Sequence, residues 1–157
     1  MVPLSTDSER RRNSNPRKVY PADQGLIRAF DTSGRANSGH ALETIVFHEL
    51  DRRFAEVSYV KTAEGLEADF HARYRGRGEE EIIQVCSDPG PGGRTDGPAT
   101  LDRELAGLLA AGKEHPRAKK RLFVTTHDQV AIASAAAGPR SGVRIQSVYE
   151  WLLEDRG

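Results

Sequence analysis

The clearest pattern in the chain is an apolar stripe at helical spacing between His40 and Phe54. The stripe consists of Leu42, Ile45, Val46, Leu50 and Phe54. Apolar residues three and four positions apart form one face of a helix, and Ser38 is a suitable N-cap. A second stripe, of leucines between Thr100 and Ala111, predicts another helix with Thr100 as its N-cap. We therefore predict two amphipathic helices that pack on a common core.

Between these helices the pattern changes to short segments rich in β-forming residues. Val57–Lys61 and Leu66–Tyr74 flank a turn at Ala63–Gly65 and predict an antiparallel hairpin, and Glu81–Cys86 predicts a third strand. Apolar and polar residues alternate in the second strand, whose polar members are Glu67, Asp69, His71 and Arg73. Alternate residues of a strand share a face, so these four predict either an ordinary solvated face or a functional one.

The second half of the chain alternates predicted strands and helices. These segments are a strand over Arg121–Thr126, a helix over His127–Ala137, a strand over Val143–Val148 and a helix over Tyr149–Glu154. A hairpin followed by β-α-β units predicts an α/β fold, with a mixed central sheet flanked by helices on both faces. The Gly- and Pro-rich segment Ser87–Ala99 predicts a loop. It lacks the lysine and hydroxyl pair of a phosphate-binding loop.

Length and composition indicate one domain preceded by a polar segment. The chain has 157 residues and one cysteine, which excludes an internal disulfide and fits a cytoplasmic protein. No segment is apolar enough to span a membrane, so we expect no membrane partner. We predict a flexible polar arm over residues 1–17 and a single domain over residues 18–157. Basic and acidic residues number 23 each, which argues against a broad nucleic-acid-coating surface.

Three polar residues stand where their neighbours are apolar. They are Glu43 on the first helix, Asp69 on the second strand and Gln84 between Ile83 and Val85. If the second and third strands pair, Asp69 and Gln84 share a cleft whose edge Glu43 reaches. Oxygen ligands of this kind suit Mg²⁺. The alternatives are a solvent-facing Glu43 and a buried Gln84 with a structural hydrogen-bonding role.

Six short blocks in this order resemble a known family. They are Lys18–Leu26, Gly39–Phe47, Glu67–Phe70, Ile83–Cys86, Arg103–Leu105 and Val124–Thr126. Together they resemble the uncharacterised C-terminal domain of a large group of prokaryotic AAA+-type ATPases, a domain similar to PD-(D/E)XK nucleases. The resemblance covers roughly residues 16–153 and implies a restriction-endonuclease-like fold. The chain contains no Walker A motif, so we expect no nucleotide hydrolysis from it.

The resemblance also implies roles for individual residues. Glu43 matches the helix-borne acid of the nuclease fold, and Asp69 matches the aspartate of its central hairpin. Gln84 and Cys86 fall where the nuclease pattern has an acid and a lysine. Glu43, Asp69 and Gln84 are therefore the implied catalytic and Mg²⁺-binding residues. A neutral thiol cannot replace the lysine, and an amide binds a cation more weakly than a carboxylate does.

These departures lead to three hypotheses for the function. The first is a nuclease-like domain that binds nucleic acid and has weak or lost phosphodiester hydrolysis. The second is a non-catalytic protein-interaction or regulatory module of such an ATPase. The third is an active Mg²⁺-dependent nuclease in which Lys61 or Arg73 reaches the cleft. A positive cleft around Asp69 favours the first hypothesis, and a neutral or acidic cleft favours the second.

Candidate contacts to DNA are Arg103, near the start of its helix, and Lys119 and Lys120 in the basic stretch Lys113–Arg121. Lysine and arginine contacts to phosphate dominate affinity for nucleic acid. The alternatives are a salt bridge between Arg103 and Glu104 and a solvated basic loop. The expected partners are accordingly DNA or an ATPase module.

Overall fold

The computed structural model describes residues 1–6, 8–23, 25, 38–53, 55–76, 78–87 and 97–154. The elements in chain order are α1 (Glu9–Ser14), α2 (Ser38–Arg52), β1 (Ala55–Lys61), β2 (Glu67–Tyr74), β3 (Glu79–Cys86), α3 (Gly97–Glu114), β4 (Lys119–Val124), α4 (His127–Ala137), β5 (Val143–Ser147) and α5 (Val148–Leu153). Within these residues no helix is both long enough and apolar enough to cross a membrane.

The strands form one mixed sheet in the order β1-β2-β3-β4-β5. The pairs β1–β2 and β2–β3 are antiparallel, as expected for strands joined by short turns. The pairs β3–β4 and β4–β5 are parallel, and their strands are connected through α3 and α4 respectively. The predicted α/β architecture, with a hairpin leading into β-α-β units, is confirmed.

Each face of the sheet carries its own hydrophobic core. Helix α2 covers one face with Leu42, Val46 and Leu50, where Trp151 of α5 also packs. Helix α3 covers the other face with Leu101, Leu105, Leu108 and Ala111, next to Ala133 of α4. The leucine pattern of α3 therefore identified its buried face correctly. Ile45 of the predicted α2 stripe is 41% exposed, and Phe54 lies outside the described residues.

Both long helices begin earlier than the pattern predicted. Helix α3 begins at Gly97 rather than after a cap at Thr100, and helix α2 already includes Ser38. Pro98 does not prevent this, because the first turn of a helix has no intrahelical acceptor for the N–H that proline lacks. Residues 88–96 of the predicted loop lie outside the described part of the chain.

The first residues of the chain differ from the expected polar arm because they pack on the domain. Val2 and Leu4 are buried in the α2-side core. Val2 and Lys18 exchange two backbone hydrogen bonds of 2.8 and 3.1 Å, and Ser5 N donates to the Tyr59 carbonyl at 2.7 Å. Burying two apolar side chains at alternate positions is more favourable than leaving them exposed to water in a solvated arm. This packing also fixes Lys18 beside the sheet.

Helix α3 approaches the start of β2 closely at Gly107. A Cβ atom at this position would collide with the carbonyl oxygen of Glu67, so only glycine permits the observed spacing. The close crossing brings the first turns of α3, including Glu104, over the end of β2 that contains Asp69.

Candidate functional site

Asp69 occupies the point at which β2 separates from β3. The regular pairing of the two strands ends at Phe70 and Ile83. Ala68 and Phe70 belong to different cores, so the alternation of β2 is broken at Asp69. The Asp69 carboxylate accepts a hydrogen bond from the Val85 N–H at 3.0 Å and takes the place of a backbone partner between the strands.

The polar residues of β2 do not form one solvated face. Asp69 is 7% exposed and His71 is 3% exposed, whereas Glu67 and Arg73 are exposed. Burial raises the pKa of Asp69 above its usual range, although the Lys18 ammonium and the Val85 N–H oppose this. A buried carboxylate requires compensation, and its partners determine what the site can do.

Gln84 compensates Asp69 as a hydrogen-bond donor. Its Nε2 donates to Asp69 Oδ2 at 2.7 Å and to Glu104 Oε2. Its Oε1 accepts from the Asp69 backbone N–H at 3.2 Å, which determines the orientation of the amide. The amide oxygen therefore faces the backbone and not the carboxylates. This arrangement matches the structural hydrogen-bonding alternative for Gln84, and its role as an oxygen ligand stays a prediction.

Lys18 supplies the positive charge at this site. Its Nζ lies 3.0 Å from Asp69 Oδ1 and 2.9 Å from Glu67 Oε1. Burial opposes the ammonium charge, but the adjacent Asp69 and Glu67 carboxylates outweigh burial, so the pKa of Lys18 lies above its ordinary value. Neither residue of the third hypothesis occupies this place: Lys61 is exposed, and Arg73 pairs with Glu56 at 3.3 Å.

Glu43 faces the same group of charges from α2. The Tyr20 hydroxyl donates to Glu43 Oε2 at 3.1 Å. Burial, followed by the charge of Asp69, raises the pKa of Glu43 to about 7, whereas Lys18 and Tyr20 lower it. Burial and Glu43 also raise the pKa of Tyr20. Glu43 is thus part of the site and not an ordinary solvent-facing helix residue.

These groups border a cavity of about 340 Å³, which we call the Asp69 cleft. It is lined by Gly65, Leu66, Glu67, Asp69, Gln84, Arg103, Glu104 and Gly107. Arg103 lies in the cleft but pairs with Glu104 at 2.9 Å, as the salt-bridge alternative predicted. Burial raises the pKa of Glu104, and the charge of Asp69 contributes. Three carboxylates line the cleft, and Arg103 together with the adjacent Lys18 ammonium offsets two of them, so the site has at most a small excess of negative charge.

The two lysines predicted to contact DNA lie elsewhere. Lys119 and Lys120 begin β4, where Lys120 pairs with Ile82, near the opposite end of the parallel strands from Val85. Lys119 forms a 3.1 Å ion pair with Glu79. The structure therefore brings Glu43, Asp69, Gln84 and Arg103 together and separates them from the lysine pair.

The side chains of the cleft do not fit a Mg²⁺ ion in this arrangement. Both oxygens of Asp69 accept hydrogen bonds, and Gln84 presents a donor to the carboxylates. The Lys18 ammonium pairs with Asp69 and Glu67 and so provides the positive charge that a bound metal ion would otherwise provide. Among the described residues no group of three His, Cys, Asp or Glu side chains could hold a metal ion. Cys86 lies buried in the α3-side core, as expected for a small apolar residue.

The sequence pattern did not assign Lys18, Tyr20, Glu67 or Glu104 to this site, although it noted Glu67 as a polar residue of the second strand and Glu104 as a possible partner of Arg103. Each lies in one of the blocks on which the family resemblance depends. Their membership in these blocks was the only signal available from the sequence. Polar residues in blocks that are far apart in the chain can form one site if the fold brings the blocks together.

Comparison of the chain with protein-family models, with curated proteins and with solved structures finds no match in any of the three. The assignment of a function therefore depends on the geometry of the cleft.

Proposed function

We propose that this chain is a nuclease-like domain whose cleft no longer hydrolyses phosphodiester bonds and which serves as an interaction or regulatory module. The hydrogen-bonding of Asp69 supports this proposal most directly. Three N–H groups, from Lys18, Gln84 and Val85, bind its two oxygens. These donors occupy three of the roughly four acceptor sites of the carboxylate, which leaves little room for a metal ion or an activated water beside Asp69.

The charge of the cleft also favours a module over a nucleic-acid-binding cleft. Glu67, Asp69 and Glu104 line the cleft, and its two cations, Lys18 and Arg103, are already paired with these carboxylates, so no excess of positive charge faces the cleft. A phosphate backbone gains affinity from cations, and an acidic surface repels it. The family resemblance implies an AAA+-type ATPase module in the cytoplasm as the partner of this domain.

A second candidate function is binding of nucleic acid outside the cleft, at the edge where β4 begins. A cavity of about 490 Å³ at this edge is lined by Lys119, Lys120, Arg121 and Arg144 together with Glu79 and Glu81. Cations outnumber carboxylates in this lining, which is the reverse of the Asp69 cleft. Contacts here would be to phosphate groups and independent of base sequence.

If the cleft no longer hydrolyses phosphodiester bonds, we expect that the wild-type chain neither cuts DNA nor binds Mg²⁺ or Mn²⁺ with appreciable affinity. Single-stranded, duplex and branched DNA are incubated with each ion, and binding of the ions is measured by titration calorimetry. Metal-dependent cleavage that disappears in Asp69→Ala would contradict the proposal. Cleavage that persists in Asp69→Ala would identify a contaminating nuclease.

Fluorescence anisotropy with labelled duplex DNA at low and moderate salt separates the two candidate functions. We expect no binding by the wild-type chain if it is a protein-interaction module. Binding that is lost in a Lys119→Glu and Lys120→Glu double variant, and retained in Arg103→Glu, would instead establish the edge as a nucleic-acid site. The Arg103 variant is the matched control because that arginine lies in the cleft.

A further inference from the structure

Away from the Asp69 cleft, a serine, a histidine and a glutamate are hydrogen-bonded in series. Ser5 Oγ lies 3.0 Å from Nδ1 of His71, and Nε2 of the same ring lies 3.0 Å from Glu80 Oε2. His71 is buried on β2, and Glu80 lies on the paired strand β3. Ser5 is held in place because its N–H donates to the Tyr59 carbonyl at 2.7 Å.

The chemistry of the imidazole follows from its two partners. Glu80 accepts the proton on Nε2, so Nδ1 keeps a lone pair and accepts the hydroxyl proton of Ser5. Burial lowers the pKa of His71, although Glu80 opposes this, so the neutral ring is favoured. The ring of His115 packs against that of His71 at a centroid distance of 4.5 Å and restricts its rotation.

Ser5 borders a cavity that a small substrate can enter. The cavity has a volume of about 240 Å³ and is lined by Pro3, Leu4, Ser5, Thr6, Glu56, Val57, Ser58 and Arg73. Arg73 lines the same cavity as Ser5, where its guanidinium group pairs with the exposed Glu56 at 3.3 Å. A cationic N–H donor beside a nucleophile can stabilise the negative charge that develops on a carbonyl oxygen.

We propose that Ser5 is a nucleophile for acyl transfer, with His71 as its general base and Glu80 as the residue that orients His71, and that the site hydrolyses esters of small acyl groups. A nucleophile bonded to a base, and a base bonded to an orienting acid, is the arrangement that activates a hydroxyl group. In this site the serine hydroxyl is hydrogen-bonded to Nδ1 of the imidazole, and the carboxylate is hydrogen-bonded to Nε2. The chemistry requires only that one nitrogen carries the proton and the other the lone pair.

In the acylation step, Ser5 Oγ forms a bond to the carbonyl carbon of the ester while its proton moves to Nδ1 of His71. Arg73 stabilises the oxyanion of the tetrahedral intermediate. The intermediate collapses by breaking the bond to the leaving alkoxide oxygen, which takes the proton from His71. Water then attacks the acyl-serine, gives one proton to His71, and the departing Ser5 oxygen recovers that proton as the acid is released.

The test combines covalent labelling of the full chain with hydrolysis of p-nitrophenyl acetate. A fluorophosphonate probe is expected to label Ser5, as located by mass spectrometry of peptides, and labelling should vanish in Ser5→Ala. The rate of ester hydrolysis is expected to fall about 100-fold in Ser5→Ala and in His71→Gln. Ser8→Ala is the matched control, because Ser8 caps α1 and is exposed. It should keep both the label and the rate.

Glu80→Gln tests the positioning role with a side chain that is 34% exposed and therefore replaceable without unfolding. It should lower kcat for p-nitrophenyl acetate while KM stays unchanged, since Glu80 does not contact the substrate. Circular dichroism checks that each variant is folded. The proposal is overturned if no adduct forms on Ser5, or if Ser5→Ala hydrolyses the ester at the wild-type rate.

Discussion

Replacement of Lys18 by methionine is expected to lower the free energy of unfolding by about 3 kcal/mol at neutral pH. Lys18 donates to Asp69 at 3.0 Å and to Glu67 at 2.9 Å, and the Asp69 side chain is only 10% exposed. Methionine keeps most of the length of the side chain but removes the charge. Asp69 would then remain buried without a cationic partner, which costs far more than the loss of a surface ion pair. Urea denaturation at neutral pH measures the difference.

The rest of a double-mutant cycle separates charge compensation from simple packing. Asp69→Asn removes the charge that Lys18 neutralises, so the double variant Lys18→Met, Asp69→Asn should recover most of the lost stability. Lys61→Met is the matched control, because Lys61 is an exposed lysine on β1. It should change stability by less than about 0.5 kcal/mol. If Lys18→Met and the double variant lose the same free energy of unfolding, Lys18 acts only through packing.

The same variant tests whether Lys18 takes the place of a cation. Without its ammonium, Asp69 Oδ1 and Glu67 Oε1 both lose their positive partner. Millimolar Mg²⁺ should then raise the melting temperature of Lys18→Met and leave that of the wild-type chain unchanged. If the ion has no effect on the variant, the interpretation of Lys18 as a substitute for a cation is wrong.

The part of this site that sequence reasoning identified is the part carried by regular elements. Glu43 lies on a helix with an unmistakable apolar face, and Gln84 lies in a strand whose neighbours must be buried. Because β2 and β3 form an antiparallel pair, Asp69 and Gln84 had to lie near each other. Periodicity and pairing rules were sufficient for these three residues.

The partners of these residues depend on details that periodicity does not contain. Lys18 and Asp69 are 51 positions apart, and nothing in the local pattern links them. Asp69 departs from the alternation of its strand because its carboxylate lies between β2 and β3. The amide of Gln84 turns its NH₂ group toward the carboxylates because its oxygen accepts the Asp69 N–H. Alternation therefore located the site but did not contain the hydrogen-bonding arrangement of Gln84.

The N-terminal segment illustrates the limit of composition as a guide. Its many polar residues suggested a solvated arm, yet Val2 and Leu4 are buried. Two apolar residues at alternate positions are too short a pattern to predict a strand pairing. Their burial nevertheless places both Ser5 and Lys18, so the two proposed sites depend on the same short segment.

Glu43→Gln is expected to stabilise the protein at pH 8 by about 3 kcal/mol and to have little effect below pH 4.5. The pKa of Glu43 is about 7 in the folded chain, against an ordinary value of 4.5. As the pH rises from 4.5 to 7, the unfolded chain releases this proton while the folded chain retains it. Stability from this group is therefore complete below pH 4.5 and is lost as the pH rises through 7. Glutamine has no proton to lose, so the variant escapes this loss.

The Tyr20 hydroxyl donates to Glu43 at 3.1 Å and can still donate to the amide oxygen of glutamine, so the substitution keeps this hydrogen bond. Urea denaturation of the wild-type chain and of Glu43→Gln from pH 4 to pH 8 gives the difference in stability as a function of pH. Glu64→Gln, in the exposed turn after β1, is the control and should show no such trend. A difference that stays constant across this range would mean that Glu43 carries the same charge in the folded and the unfolded chain. Neither burial nor the charge of Asp69 would then shift the pKa of Glu43, and Glu43 would not belong to the coupled group of charges at this site.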